Sequence, residues 1–138
     1  MPTVSIIVRT KNEERWISSC LSSIYSQEYT DFEIIIVDNC SSDQTISKAR
    51  KHGVKKIFQI KNYFPGKALN LGIKNSDQKY IVCLSVHCIP VNKKWLSNLV
   101  SSLEEDPTFA GVYGRQQPMS FSSLSDKRDL MIVFGLDR

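Results

Sequence analysis

Short apolar runs alternate with amphipathic segments along most of the chain. Four runs rich in β-branched and aromatic residues predict β-strands, at residues 4–8, 32–37, 54–60 and 80–84. Apolar side chains at helical spacing predict helices at residues 13–26 and 45–52, from Pro65 and Gly66 onward, and at residues 95–103. Apolar strands separated by helices are typical of a mainly parallel sheet that is buried on both faces. The pattern therefore predicts an α/β fold, a three-layer α/β/α sandwich.

The end of the chain is less regular. Residues 109–113 predict one further strand, and beyond Gly114 the pattern indicates a loop. The sequence stops within an apolar segment, residues 129–138, without the polar tail that usually ends a domain. We therefore expect the sequence to be the first part of a longer domain.

The composition excludes several classes of protein. With 138 residues, of which 41% are hydrophobic and 23% charged, the chain has the composition of a globular domain with its own core. The net charge of +4 comes from scattered lysines and arginines, which argues against nucleic-acid binding and suits a small phosphorylated ligand. No apolar stretch is long enough to span a membrane, and the first residues do not form a signal peptide.

The four cysteines, Cys20, Cys40, Cys83 and Cys88, do not follow a zinc-binding spacing. Free thiols are typical of proteins in reducing compartments. We therefore expect a cytoplasmic protein with four unpaired cysteines.

Polar residues follow three of the predicted strands, at residues 9–13, 38–43 and 85–90. In open parallel sheets, ligands bind beyond the carboxyl ends of the strands, so these residues are the first candidates for chemistry. Asp38 directly follows a strand, at a position that we expect to lie outside the core, where its carboxylate could accept hydrogen bonds from a base or a ribose. Taken alone, Asp38 and Asp43 are better explained as helix caps, and the same ambiguity holds for Thr10, Asn12 and Glu13.

The glycine-rich phosphate loops of two common nucleotide-binding folds are missing. Neither G-x-G-x-x-G nor G-x-x-x-x-G-K-[ST] occurs, which argues against a dinucleotide-binding Rossmann domain and a P-loop NTPase. A glycine turn with a lysine, Pro65-Gly66-Lys67, opens the third predicted helix instead. Lys67 could meet a diphosphate there, because a helix N-terminus and an ammonium group both favour anions. A solvated lysine explains the residue equally well.

Five segments, in order, resemble glycosyltransferase family 2, the inverting sugar transferases with the GT-A fold. They are SIIVRTKNEE, FEIIIVDNCSSDQT, PGKALNLGI, YIVCLSVHCIPVNKKWL and DPTFAGVYGRQQP, and together they cover most of the chain. The resemblance implies that Thr10, Asn12, Glu13 and Asp38 line the nucleoside pocket, with Asp38 near the base. It also implies that Lys67 approaches the diphosphate and that Ser85 belongs to the nucleotide site.

The motif after the fourth strand departs from the family pattern, which has an Asp-x-Asp that holds Mg²⁺ or Mn²⁺ on the diphosphate. Here the three residues are Ser85-Val86-His87, and the loss of two carboxylates counts against a site for a hard divalent ion. The sequence resembles a Ser-x-His subset of the family, which implies a function for His87. His87 either ligates an ion such as Mn²⁺ or, as an imidazolium, contacts the departing diphosphate. The alternative is a partly buried, hydrogen-bonded histidine.

The resemblance implies an inverting glycosyltransferase of polysaccharide or glycoconjugate synthesis. Such an enzyme moves a sugar from a nucleotide-diphosphate donor to a hydroxyl of a carbohydrate or lipid-linked acceptor. Residues 1–115 would form the nucleotide-sugar-binding subdomain, and residues 116–138 would begin the acceptor-binding region. We expect the catalytic base beyond residue 138 and assign it to none of the late acidic residues, Asp126, Asp129 and Asp137. These 138 residues are then expected to bind nucleotide without turning it over.

Two alternatives use the same fold. One is a non-catalytic module that binds a nucleotide or a carbohydrate, which the missing Asp-x-Asp slightly favours. The other is a nucleotidyltransferase of related fold, which would need a glycine-rich basic loop after the first strand, and RTKNEE contains no glycine.

Overall fold

The computed structural model describes residues 3–134 and contains four strands and five helices in that part of the chain. In chain order they are β1 (Val4–Thr10), α1 (Ile17–Tyr25), β2 (Phe32–Asp38), α2 (Thr45–Lys51), β3 (Lys56–Gln59), α3 (Pro65–Lys74), β4 (Tyr80–Ser85), α4 (Trp95–Glu105) and α5 (Leu124–Phe134). The alternation of strand and helix up to α4 is the one that the apolar pattern predicts.

The four strands form one parallel sheet in the order β3-β2-β1-β4. In the register of the sheet, Thr10 lies beside Asp38 and Arg9 lies beside Ser85, so three strands end at nearly the same level. The chain runs outward from β1 to β3 and then returns across the sheet to place β4 on the other side of β1. The strand order therefore reverses between β1 and β4.

Helices cover both faces of the sheet. On one face, α1 buries Ile17, Cys20, Leu21 and Ile24 against the sheet, and buried side chains of α2 and α4 join the same apolar cluster. On the other face, Ile7, Ile35 and Val37 pack against Ala68 of α3. The prediction of a three-layer α/β/α fold is confirmed.

Two glycines are required by the packing and the backbone. Gly53 follows α2 with a φ of 85°, a left-handed conformation that glycine adopts at little cost after a helix. Gly72 lets α3 approach the sheet, because a Cβ atom at this position would lie 2.5 Å from Ile7 Cγ2. His52 lies at the C-terminal cap of α2, as a residue interacting with the end of a helix would.

The structure corrects the prediction for residues 109–113, which do not form a strand. They lie along α4 instead and form with it a groove of about 540 Å³, in which Trp95 and Leu99 face Phe109 and Tyr113. A strand is stable only where a neighbouring strand accepts its hydrogen bonds, and an apolar run does not reveal whether one is available.

The structure also contains a helix that the sequence analysis missed. α5 occupies residues assigned to a loop, and its N-terminus is capped by Ser123, whose Oγ accepts from Asp126 N–H at 3.1 Å and donates to Asp126 Oδ2 at 2.7 Å. Ser-x-x-Asp is a helix-start signal that could have predicted it. No side chain of α5 is buried among residues 3–134. In the same part of the chain, no helix is long and apolar enough to cross a membrane.

Candidate functional site

The strand order reverses between β1 and β4, and the region beyond the carboxyl ends of these two strands is called the β1–β4 crevice here. In open parallel sheets, ligands bind beyond the carboxyl ends of the strands at such a switch point. Residues after β1, β2 and β4 meet there, and each predicted site residue is located relative to this crevice below.

Asp38 is the centre of a hydrogen-bond cluster at the ends of β1 and β2. Its Oδ1 accepts from Thr10 Oγ1 at 2.6 Å and from Ser41 Oγ at 2.5 Å, and its Oδ2 accepts from Ser41 N–H at 2.8 Å. Asp38 is fully buried and Thr10 is 3% exposed. The expectation that Asp38 lies outside the core is therefore wrong, because the turn after β2 folds back and covers the carboxylate.

Asn12 joins the loop after β1 to the turn after β2. Its backbone N–H donates to Ser41 Oγ at 2.8 Å, and its side-chain oxygen accepts from Ser42 N–H at 2.9 Å. Asn12 and Cys40 have φ values of 50° and 48°, and these are the only non-glycine residues with positive φ among residues 3–134. Left-handed backbone in non-glycine residues is strained and clusters at functional sites, so these two tight turns are a structural sign of a site.

Glu13 lies between the start of α2 and the end of β4. Its backbone N–H donates to Thr45 Oγ1 at 2.7 Å, and its Oε1 lies 3.6 Å from His87 Nδ1. The other ring nitrogen of His87, Nε2, lies 3.4 Å from Ser85 Oγ. The His87 side chain is 58% exposed and contacts both Ser85 and Glu13. The imidazole projects from the crevice beside a carboxylate.

Asp43 lies at the start of α2. Burial acts to raise the pKa of its carboxyl, but hydrogen bonds from the Thr45 hydroxyl and from the backbone N–H groups of Thr45 and Glu14 hold that pKa below its ordinary value. Asp43 precedes the N-cap residue Gln44, and its Oδ1 accepts from the backbone N–H of Thr45, the first residue of α2, at 2.9 Å. Asp43 thus supports the start of α2, whereas Asp38 binds the two strand ends together.

Lys67 lies apart from this cluster. It is exposed in the first turn of α3, with its ammonium group 5.0 Å from the centre of the Phe64 ring, and it contacts none of the other predicted site residues. α3 begins with Pro65 in its first turn and has no side-chain cap. Its first N–H groups are therefore open to an anion, and Lys67 is the cation nearest in sequence to them.

Two side chains at the strand ends received no role from the sequence. Ser41 contacts both Asp38 and Asn12 and thereby joins the two turns. Arg9, next to Thr10 in β1, donates from Nη1 to Tyr63 Oη at 3.3 Å in the loop before α3. The spacing of Ser41 three residues after Asp38 is typical of a local side-chain turn and could have indicated the first contact. Nothing in the sequence indicates the second.

The side chains at the crevice do not by themselves fit a divalent metal ion. Ser85 and His87 stand where a hard ion would need oxygen ligands of negative charge, and Glu13 supplies the one carboxylate beside His87. Within residues 3–134 no three histidine, cysteine or acidic side chains are grouped so that they could hold a metal. Of the late acidic residues, Asp126 and Asp129 lie on α5, and Asp137 lies outside the described residues.

Comparison with known proteins places the chain in a family. The profile of glycosyl transferase family 2 matches residues 5–133. Poly(ribitol-phosphate) beta-N-acetylglucosaminyltransferase TarS of Staphylococcus aureus is 30% identical over an aligned length of 133 residues; the alignment covers 87% of this chain and 23% of that protein. A dolichyl N-acetyl-alpha-D-glucosaminyl phosphate 3-beta-D-2,3-diacetamido-2,3-dideoxy-beta-D-glucuronosyltransferase of Methanococcus voltae is 33% identical over an aligned length of 126 residues; the alignment covers 83% of this chain and 39% of that protein.

Solved structures show the same fold. The mannosyltransferase PcManGT from Pyrobaculum calidifontis, in complex with GDP-Man and Mn²⁺, superposes with a TM-score of 0.71 at 27% identity, covering 78% of this chain and 33% of that one. Residues 1–349 of S. aureus TarS in complex with UDP-GlcNAc give a TM-score of 0.65 at 29% identity, covering 87% of this chain and 38% of that one. The chain thus spans well under half the length of the relatives it matches. It has a GT-A-type α/β fold and belongs to glycosyl transferase family 2.

Proposed function

We propose that this chain is the donor-binding part of an inverting glycosyltransferase, which transfers a sugar from a nucleotide diphosphate to an acceptor hydroxyl in polysaccharide or glycoconjugate synthesis. One observation carries the proposal. The loops after β1, β2 and β4 converge at the switch point of the sheet in two adjoining groups of contacts. Hydrogen bonds through Ser41 connect Thr10, Asp38 and Asn12, close contacts connect Glu13, His87 and Ser85, and the two groups meet where Asn12 and Glu13 follow each other in the chain.

The nucleoside would lie over the ends of β1 and β2. The residues proposed to bind the nucleoside are Thr10, Asn12, Glu13 and Asp38, and they contribute in two ways. Asn12 and Glu13 are accessible and can contact a ligand directly, whereas the buried Asp38 holds Thr10 and the turn at Ser41 in place. We also propose a direct hydrogen bond from the base to the Asp38 carboxylate, which requires the turn at Ser41 to move away from that carboxylate.

The diphosphate would lie on the β4 side of the crevice. Transfer forms a bond from the acceptor oxygen to the anomeric carbon and breaks the bond from that carbon to the diphosphate, which leaves with the electron pair. The acceptor proton goes to a base that none of the described residues is proposed to supply. A departing diphosphate is stabilised by positive charge. The proposed contacts are Ser85, His87 and Lys67, and the His87 imidazole is exposed beside Ser85 and Glu13.

A divalent ion belongs to the proposal only in a limited form. The related mannosyltransferase PcManGT was solved in complex with GDP-Man and Mn²⁺. In this chain His87 with Glu13 would be the side chains to hold such an ion, and they leave most of its ligands to the diphosphate and water. When bound, an ion would add positive charge at the diphosphate; the contacts proposed above do not depend on it.

The remaining parts of the proposal concern organisation and location. Residues 1–115 would bind the nucleotide sugar, and residues 116–138, which include α5, would begin the region that meets a carbohydrate or lipid-linked acceptor. All four cysteines are free thiols, which supports a cytoplasmic location.

Calorimetric titration with UDP and GDP, with and without Mn²⁺, tests the proposal. We expect one of the two nucleotides to bind with a Kd between about 1 µM and 1 mM, the range in which enzymes usually hold their substrates. His87→Ala should weaken diphosphate binding or change its dependence on Mn²⁺. His52→Ala is the matched control, because it removes a histidine at the far end of α2 and should leave both properties unchanged.

A protein that binds neither nucleotide would refute the proposal. If nucleotide binding is absent while a carbohydrate binds, the chain is the non-catalytic carbohydrate module instead. An unchanged titration of His87→Ala would remove His87 from the site without affecting the assignment of the crevice to the nucleoside.

A further inference from the structure

Arg9 is the least satisfied polar side chain at the crevice. Its Nε atom is buried, and in the part of the chain that the structure describes it has no hydrogen-bond partner. Within residues 3–134 the guanidinium forms a single long hydrogen bond, from Nη1 to Tyr63 Oη at 3.3 Å. Among residues 3–134, no carboxylate forms an ion pair with it. The guanidinium is thus partly desolvated and uncompensated.

The position of Arg9 ties this charge to the switch point. Arg9 is the residue before Thr10 and pairs in register with Val37 on one side and with Ser85 on the other. Its charge acts on the thiols of Cys83 and Cys88, where burial raises the pKa of each and the nearby guanidinium lowers it in part. The register of the sheet places Arg9 at the level where β4 ends in Ser85.

Burying a cation without a partner costs free energy of folding, and a protein retains such a group where a ligand supplies the missing partner. A guanidinium is charged at any pH at which the protein is folded, and its planar set of N–H donors matches the oxygens of a phosphate. Ser85 and His87 at the end of β4 carry no carboxylate, and within residues 3–134 no group of three histidine, cysteine or acidic side chains could hold a metal ion. A fixed protein cation at this place would supply the same sign of charge.

We infer that Arg9 binds a phosphate oxygen of the donor diphosphate at the β1–β4 crevice and supplies there the positive charge that a metal ion would otherwise bring. The inference rests on the proposed function, because it assigns a ligand group to the same site. Tyr63 holds the guanidinium in the absence of ligand through its single long hydrogen bond. The competing explanation is structural: Arg9 would only fasten the loop before α3 to the end of β1.

The two explanations differ in what they predict for the ligand-free protein. Arg9→Met keeps the apolar stem and removes the charge. If Arg9 serves a ligand, removing an uncompensated cation should raise the urea midpoint of the ligand-free protein, as replacing buried charges by apolar groups often does. If Arg9 is structural, the same variant should lower that midpoint.

Binding to uridine, UDP and inorganic diphosphate, and to guanosine and GDP in parallel, completes the test. For the nucleotide that binds, we expect Arg9→Met and Arg9→Gln to reduce the affinity for the diphosphate form at least about tenfold while the affinity for the bare nucleoside stays unchanged. Inorganic diphosphate should lose affinity in the same variants. Arg50→Gln, an exposed arginine of α2, is the matched control and should behave as the wild type.

The outcomes separate this inference from the proposed function. If the wild-type chain binds neither UDP nor GDP, the proposed function fails and the inference fails with it. If the wild type binds a nucleotide, and Arg9→Met and Arg9→Gln still bind the diphosphate form more tightly than the bare nucleoside by the same factor as the wild type, the inference alone is overturned. A lower urea midpoint for Arg9→Met also overturns it. Tyr63→Phe should retain diphosphate affinity within about twofold, because the cation remains; a loss as large as that of Arg9→Met would assign the effect to the loop.

Discussion

Asp38→Ala should destabilise the protein, because the buried carboxylate joins the ends of β1 and β2. The change removes the acceptor of three hydrogen bonds at 2.5 to 2.8 Å, from the Thr10 hydroxyl and from the hydroxyl and backbone N–H of Ser41. Hydrogen bonds to a charged group contribute about 1.5–3 kcal/mol each, and a buried donor left without an acceptor costs about 1–3 kcal/mol. Ser41 is partly exposed and can turn to water, whereas Thr10 cannot.

The expected loss is therefore about 2–4 kcal/mol in the free energy of unfolding. Against a total of about 5–15 kcal/mol for a domain, this is a large share. Urea unfolding followed by the fluorescence of Trp16 and Trp95 measures it, and a slope of about 2 kcal/mol per molar urea converts it to a midpoint lower by about 1–2 M. Ser41→Ala, which removes one of the three hydrogen bonds directly, should lose less.

Asp77→Ala is the matched control, because Asp77 is an exposed aspartate in the loop before β4, and its side chain forms no hydrogen bond with any of residues 3–134. Its midpoint should stay within about 0.5 kcal/mol of the wild type. If Asp38→Ala and Asp77→Ala unfold at the same urea concentration, the cluster at the strand ends is not formed in solution. Because Asp38→Ala is expected to destabilise the fold, the role of Asp38 in nucleotide binding is better measured with Asp38→Asn, which keeps the shape of the side chain.

Three further predictions concern packing, thiol reactivity and pH. Gly72→Ala should be less stable than Gly66→Ala by about 1–3 kcal/mol in urea unfolding. Both variants gain helix propensity in α3, but only the new methyl group at position 72 meets a side chain of the sheet. Equal stabilities of the two variants would contradict the close approach of α3 to the sheet. Cys83 is exposed and should react with iodoacetamide in the native protein at pH 8. Burial raises the pKa of the Cys20 thiol to about 12 and should protect Cys20 from alkylation until the protein unfolds. Mass spectrometry that finds both cysteines alkylated together in the native protein would refute this prediction. The pKa of Asp43 is lower in the folded than in the unfolded protein. Its contribution to stability should therefore be present above the unfolded pKa and be lost as the pH falls through the folded pKa. Asp43→Asn should remove this part of the acid dependence, and an unaltered curve of stability against pH would count against a role for Asp43 at the start of α2.

The strands and the layer order could be predicted from the sequence because they follow from local pattern. Residues 34–37 are apolar throughout, and a strand covered on both faces buries such a short run completely. The prediction failed at residues 109–113, where the same kind of run lies against α4 with Tyr113 86% exposed. Whether a run becomes a strand depends on a partner strand elsewhere in the chain, and a local pattern contains no information about it.

The candidate site was predictable to the extent that topology alone determines it. Parallel strands gather the residues after their carboxyl ends, so Thr10, Asp38 and His87 could be expected to lie near one another. The burial of Asp38 and the contact of Arg9 with Tyr63 could not be predicted. Both depend on loop conformations, including positive φ at Asn12 and Cys40, that residue types other than glycine rarely adopt.

The central claim is that a nucleotide binds at the β1–β4 crevice, and backbone amide NMR of the 138-residue chain during titration with UDP and with GDP tests it most directly. The account predicts that one nucleotide shifts the amide signals of Asn12, Glu13 and His87 together, with a single saturation curve, while those of residues 109–113 beside α4 stay in place. Shifts confined to the groove along α4, or no shifts with either nucleotide, would contradict it.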